Sequence, residues 1–137
     1  MIGYGKRVLV VDDDERERQE TALLLQQAGF MVVLADDGLL ALSKMQQRRF
    51  DAVVTDFYMP NLNGLELAAQ SRLRWPAIPV IIFSKGEWEM SEMATDQGAF
   101  GWIRKSSDPD ILLSMLVLAM KQTAERTSQL SLERVVA

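Results

Sequence analysis

The sequence predicts an α/β domain, a doubly wound five-stranded parallel sheet with five helices. Two observations carry the prediction. Short apolar runs, each too short to be a helix of its own, alternate with longer segments of helical spacing. Alternation of this kind implies parallel strands joined by right-handed crossovers, with helices on both faces. Four of those runs also lead into polar residues: Val8 to Val11 into Asp12 and Asp13, Ala52 to Thr55 into Asp56, Val80 to Phe83 into Ser84, and Gly101 to Arg104 into Lys105. Parallel strands bring such residues to one sheet edge, where open α/β folds bind ligands.

Each element has its own local signal. Arg7 to Val11 is valine-rich and reads as a strand buried on both faces. Asp14 with Glu17 three residues on forms a capping box for the first helix; Ala22, Leu23, Leu25 and Ala28 supply its apolar stripe and Gly29 its stop. Met31 to Ala35 is the second strand. Past the turn at Asp37 and Gly38, Leu39, Leu42 and Met45 recur at helical spacing until Arg48 and Arg49 close the segment near the negative end of its dipole. Ala52 to Thr55 is the third strand, and Met59 to Gly64, with one Pro and two Asn, is a loop. Leu65 to Arg74 is helical. Pro76 and Pro79 bracket the connection to the fourth strand, Val80 to Phe83; Trp88 to Gln97 is a helix ended by Gly98, and Gly101 to Arg104 is the fifth strand. Asp108-Pro109 then opens a helix with Ile111, Leu112, Met115, Leu116 and Ala119 expected on its inner side.

A chain of 137 residues with 48% hydrophobic and 25% charged content has room for one domain with a sizeable core. That domain is expected over residues 1–121. Residues 122–137 are more polar and read as a helical extension or a linker toward an output domain. A heptad reading through this tail puts Thr123 and Thr127 on the seam, which argues against a coiled coil. Nineteen acids against fifteen bases give a net charge of -4, and no basic cluster exceeds Arg48-Arg49, so nucleic-acid binding by this domain is not expected. No apolar stretch approaches the roughly 20 residues of a membrane span. No membrane partner is expected, and the expected location is cytoplasmic.

With neither Cys nor His in the chain, the common nucleophile, general base and soft metal ligands are absent. Asp12, Asp13 and Asp56 would repel one another in one cleft unless a cation intervened, and Mg²⁺ suits oxygen ligands shared with phosphate. Lys105 then offers a point charge to a phosphoryl group, Ser84 a hydrogen bond, and a carboxylate becomes the candidate nucleophile. Taken singly, Asp14 reads as a cap, Asp56 as a turn former, Lys105 as a solvated strand end, Ser84 as a loop hydroxyl and Trp102 as a core aromatic. The ordered set is more specific than its parts.

Val10 to Asp14, Asp51 to Asp56, Met59-Pro60, Gly64, Ser84, Gly98-Ala99 and Gly101 to Lys105 together resemble the receiver domain of two-component response regulators. The resemblance covers residues 6 to 121 and implies a flavodoxin-like fold with strand order 2-1-3-4-5. It implies a phosphoprotein of a phosphorelay in which Asp56 is the phosphoacceptor, fed by a histidine kinase, a phosphotransfer protein or a small phosphodonor. Asp13, Asp56 and the Tyr58 backbone carbonyl match direct Mg²⁺ ligands, with Asp12 acting through water. Lys105 matches the phosphate-binding lysine, Ser84 the switch hydroxyl and Trp102 the switch aromatic. The implied output surface is the fourth helix (88–97), fifth strand and fifth helix, facing an output domain, an effector protein or a second copy in a homodimer. Beyond its own aspartyl phosphorylation and dephosphorylation, no enzyme activity is expected.

Three positions depart from the family pattern. Lys85 stands after Ser84 where a small residue is usual; its cation can bind phosphate, pair with an acid or crowd the entrance. Ser106 replaces a proline that usually follows a cis bond, and because a cis bond before a non-proline costs about 2.5–4 kcal/mol, trans is expected. Tyr58 is placed to shield an acyl phosphate from water, which predicts slow self-dephosphorylation. Lys85 and Ser106 motivate an alternative, a receiver-like binding module without effective phosphorylation. Asp12-x-Asp14 motivates another, an aspartate-based phosphatase of the haloacid dehalogenase type, although Arg16 departs from that motif. A flavodoxin reading fails because no Ser/Thr/Gly phosphate loop follows the first strand.

Overall fold

The computed structural model describes residues 1–85 and 96–136. Five parallel strands, β1 (Arg7–Val11), β2 (Met31–Ala35), β3 (Ala52–Thr55), β4 (Val80–Ser84) and β5 (Gly101–Arg104), form one sheet in the order β2-β1-β3-β4-β5. Helices α1 (Glu15–Gln27), α2 (Gly38–Gln47), α3 (Gly64–Arg74) and α4 (Pro109–Val136) complete the described elements. The helix expected over 88–97, with Trp88, Met90 and Met93 as its candidate partner face, falls largely outside the described residues.

The period-two alternation of the strands divides the core into two layers. Leu9, Val11, Val53 and Ile82 pack with Ala41 and Met45 of α2 and Leu67 and Ala68 of α3. Val8, Val10, Val54 and Ile81 pack on the other face with Leu25 of α1 and Leu112, Leu116 and Ala119 of α4. Leu25, Leu112 and Leu116 are fully buried, and each such leucine contributes about 1.5–3 kcal/mol. Three positions assigned to apolar stripes are instead half-exposed, Leu23, Leu39 and Ile111. At 100° per residue, Leu23 lies on the far side of α1 from Thr21 and Leu25, and Ile111 is a quarter turn off the Leu112–Leu116–Ala119 line.

The helix starts follow their caps. Asp14, Asp37 and Asn63 each accept the backbone N–H three residues on, and Asn63 with Glu66 forms a complete capping box. At α1 only half of the expected box exists, because Glu17 sends its carboxylate elsewhere. Asp108 accepts the Asp110 N–H at 2.9 Å at the start of α4. This helix continues unbroken past Lys121, with Thr123 and Thr127 hydroxyls donating to the carbonyls of Ala119 and Thr123. Among the described residues no helix is long and apolar enough to cross a membrane.

Candidate functional site

The strand register sets the site. Val11 pairs with Thr55, Thr55 with Ile82, and Ser84 with Arg104, so Asp12, Asp56, Ser84 and Lys105 all emerge at the carboxyl edge of the sheet. Backbone bonds continue the alignment one step further: the Asp12 N–H donates to Ala35, Asp56 to Val11 and Lys105 to Ser84. The sheet thereby delivers three of the predicted charges and the predicted hydroxyl to one place.

Asp12 is buried, and both of its carboxylate oxygens are engaged. Oδ2 lies 2.6 Å from Lys105 Nζ and Oδ1 accepts the Asp14 N–H at 3.0 Å. Arg18 donates to its main-chain carbonyl at 2.8 Å, tying the strand end to α1. Asp13 is exposed at the mouth. Carboxylate oxygens of Asp12, Asp13 and Asp56 lie within 4.8 Å of one another. That set of hard donors fits a small oxygen-coordinated cation.

Asp56 sits at the centre. Its Oδ1 accepts the Phe57 N–H at 2.9 Å, its Oδ2 is 3.9 Å from Lys105 Nζ, and Ser84 hydrogen-bonds its side chain. Burial pushes its carboxyl above the usual range; Lys105 and the Ser84 bond oppose this, while the Asp12 charge reinforces it. Two contacts fix the loop behind it. Thr55 Oγ1 donates to the Asp56 carbonyl at 2.9 Å and the Gly64 N–H to the Phe57 carbonyl at 2.8 Å. A Cβ on Gly64 would stand 2.3 Å from the Asp56 carbonyl oxygen, so only glycine lets α3 begin this close to the acceptor loop.

Lys105 is nearly enclosed. Burial alone would lower its pKa, but Asp12, Asp56 and Glu17 together raise it. Glu17 Oε2 lies 3.4 Å from Lys105 Nζ, and its Oε1 is 2.8 Å from Lys85 Nζ. Burial would raise the Glu17 carboxyl, yet the two lysines hold it below its usual value. Of the three roles open to Lys85, the structure shows pairing with an acid. The Lys105–Ser106 bond is trans, since the described residues contain no cis peptide.

Trp102 is half-buried on β5 and its ring lies 5.3 Å from that of Phe57, which in turn meets Tyr58 edge-on at 4.6 Å. The indole N–H is buried with no hydrogen-bond partner among the described residues. Tyr58 is exposed, at the rim of the acceptor loop.

Sequence reasoning missed Glu17 as a site residue. It was absorbed as the second half of a capping box, although a first-turn residue of the helix after β1 necessarily stands above the same sheet edge. Arg18, on the same turn, was given no role in the sequence, although it too stands above that edge.

A family model described as the response regulator receiver domain matches residues 8–117. The chain belongs to this receiver family. The receiver domain is 33% identical over 129 residues to the putative two-component response regulator ARR21 of Arabidopsis thaliana, covering 93% of this chain and 21% of that protein. It is 32% identical over 109 residues to the transcriptional regulatory protein GlrR of Escherichia coli, covering 79% and 24%. Among solved structures, the response regulator TrrA of Thermotoga maritima, in complex with Mg²⁺-BeF, shares 29% identity at a TM-score of 0.77, covering 83% of this chain and 98% of that one. Full-length FixJ of B. japonicum shares 29% at a TM-score of 0.82, covering 91% and 62%. The receiver spans a fifth to about half of the length of the curated relatives named first, from 21% for ARR21 to 52% for a mycobacterial response regulator MprA. It is a receiver module of two-component signalling.

Proposed function

We propose that this receiver takes a phosphoryl group onto Asp56 from the phosphohistidine of a partner kinase or phosphotransfer protein, with Mg²⁺ bound. The observation that carries the reading is the setting of Asp56: one carboxylate at the centre of a cleft, with a lysine 3.9 Å away, two further aspartates and a hydroxyl converging on it. A carboxylate oxygen of Asp56 attacks phosphorus, the bond from phosphorus to the donor's leaving atom breaks, and that atom departs with the electron pair. The product is an aspartyl phosphate, which water later cleaves to restore the carboxylate and release phosphate.

Asp13, Asp56 and the Tyr58 backbone carbonyl are the proposed direct metal ligands. Asp12, with both oxygens already engaged, suits a water-mediated contact. When bound, Mg²⁺ supplies positive charge between the carboxylates and the phosphoryl oxygens. Lys105 sits where it neutralises a phosphoryl oxygen, and Ser84 exchanges its bond to Asp56 for one to that group. The withdrawal of Ser84 leaves room for Trp102, whose buried indole N–H has no partner among the described residues. The proposed readout is the face formed by residues 88–97, β5 and α4, presented to an output domain or effector, in a cytoplasmic protein whose receiver occupies residues 1–121. A local charge contact thus biases a two-state element.

The convergence of Lys105, Ser84 and the aspartates on Asp56 favours this reading over a module that acts by contact alone. Incubating the chain with Mg²⁺ and a small acyl phosphate, then weighing the intact protein, tests it. One added phosphoryl group is expected, absent in Asp56→Asn and in excess chelator. No added mass in the wild type, or added mass that survives Asp56→Asn, would falsify it.

A further inference from the structure

We propose that Glu17 is a positioning residue of the phosphoryl site. Its carboxylate, shared by Lys85 and Lys105, engages both ammonium groups at the edge of the site and competes for them with an arriving anionic donor. The inference rests on the reading of Asp56 as acceptor.

Three observations support it. The bridge spans three separate elements: Glu17 on the first turn of α1, Lys85 just past β4 and Lys105 just past β5, at 2.8 and 3.4 Å. The helix cap does not use the Glu17 carboxylate. Asp14 accepts the Glu17 N–H at 2.9 Å, while the Asp14 N–H is taken by Asp12 Oδ1 at 3.0 Å, so the reciprocal bond of a capping box is absent. Finally, Lys85 directly follows Ser84, the buried hydroxyl bonded to Asp56, so whatever restrains Lys85 also restrains that strand end.

The charges set the direction of the effect. Asp12, Asp13, Asp56 and Glu17 bring four negative charges to the cleft and its mouth, against two from Lys85 and Lys105. A phosphodonor adds more negative charge and must draw Lys105 toward its phosphoryl oxygens, away from Glu17. Replacing Glu17 with its neutral isostere removes one repelling charge and frees both lysines. Removing Lys85 does the reverse.

The test measures the phosphorylation rate against the concentration of a small acyl phosphate with Mg²⁺. Glu17→Gln is expected to lower the half-saturating donor concentration by about three- to tenfold, with a smaller change in limiting rate, as one unit charge beside a dianion allows. Lys85→Ala is expected to raise it. An unchanged or raised value in Glu17→Gln, or two variants that move in the same direction, overturns the proposal, because a purely structural Glu17 would alter stability without opposite shifts in donor affinity. If the wild type takes no phosphoryl group, the acceptor reading fails, and the bridge is then read in chelator from the denaturation midpoints of Glu17→Gln, Lys85→Ala and the double variant. Non-additive midpoints support the bridge; additive ones overturn it.

Discussion

Two ion pairs, one at the carboxyl edge of the sheet and one on the first turns of α1, make the same kind of contact at very different depths. Lys105–Asp12 closes at 2.6 Å with side chains 10% and 3% exposed, whereas Arg16–Glu20 closes at 3.1 Å with 88% and 63% exposed. The half-ångström difference matters little. What differs is the fate of the partner left behind: a stripped Glu20 is solvated at once, while a stripped Asp12 remains a charge inside the sheet edge. Depth therefore decides which contacts organise the site and which merely decorate it.

The sharpest way to break that contrast is Lys105→Ala. It leaves Asp12 charged, buried and beside Asp56, and is expected to destabilise the metal-free protein by about 3–5 kcal/mol in denaturant titrations. A loss below about 1 kcal/mol would show that water reaches Asp12 freely, and the inner pair would then rank with the outer one.

How much of this was legible in the sequence follows the same line. The apolar runs gave the strands, and their carboxyl ends gave Asp12, Asp56, Ser84 and Lys105, because parallel register forces strand ends together. The cap residues Asp14 and Asp108 marked the starts of α1 and α4, whereas Asn63, legible only as a turn residue, proved to be the cap of α3. Glu17 was hidden because two uses of one side chain, cap or bridge, leave the same trace in a sequence, and only the spacing between α1 and β5 in space distinguishes them. Leu23, Leu39 and Ile111 were misplaced for a related reason: an apolar residue beside a stripe counts toward it until the helix is fixed in rotation. Lys85 offered three roles on paper, and the choice required seeing an acid within reach.

A middle-sized effect tests whether burial also governs Asp56. Burial holds its carboxyl above the usual value, with Asp12 adding to the rise and Lys105, Ser84 and the Phe57 N–H opposing it. A carboxyl that binds its proton more tightly in the folded chain contributes stability that is complete below its unfolded value and is lost as pH rises through the folded one. In chelator, the wild type should therefore lose stability relative to Asp56→Asn as pH climbs through the carboxylate range, with the two converging in acid. Equal pH profiles would mean that Asp56 is solvated like a surface acid. Added Mg²⁺ should stabilise the wild type more than the variant, because only the wild type keeps the full carboxylate set.

The smallest effect lies at the exposed end. Arg16 precedes Glu20 by four residues, the less favourable order for an i, i+4 pair, and it stands in the first turn of α1, where the helix dipole disfavours a cation. A double-mutant cycle across Arg16→Ala and Glu20→Gln is expected to give a coupling of about 0.3 kcal/mol, shrinking with salt. Should that coupling instead match the cost of stripping Lys105 from Asp12, distance alone would explain both pairs and depth would explain neither. A near-zero value, set beside a large one at the sheet edge that α1 adjoins, would show that the phosphoryl site depends on the charges enclosed at that edge and that the solvent-facing charges of the helix are free to vary.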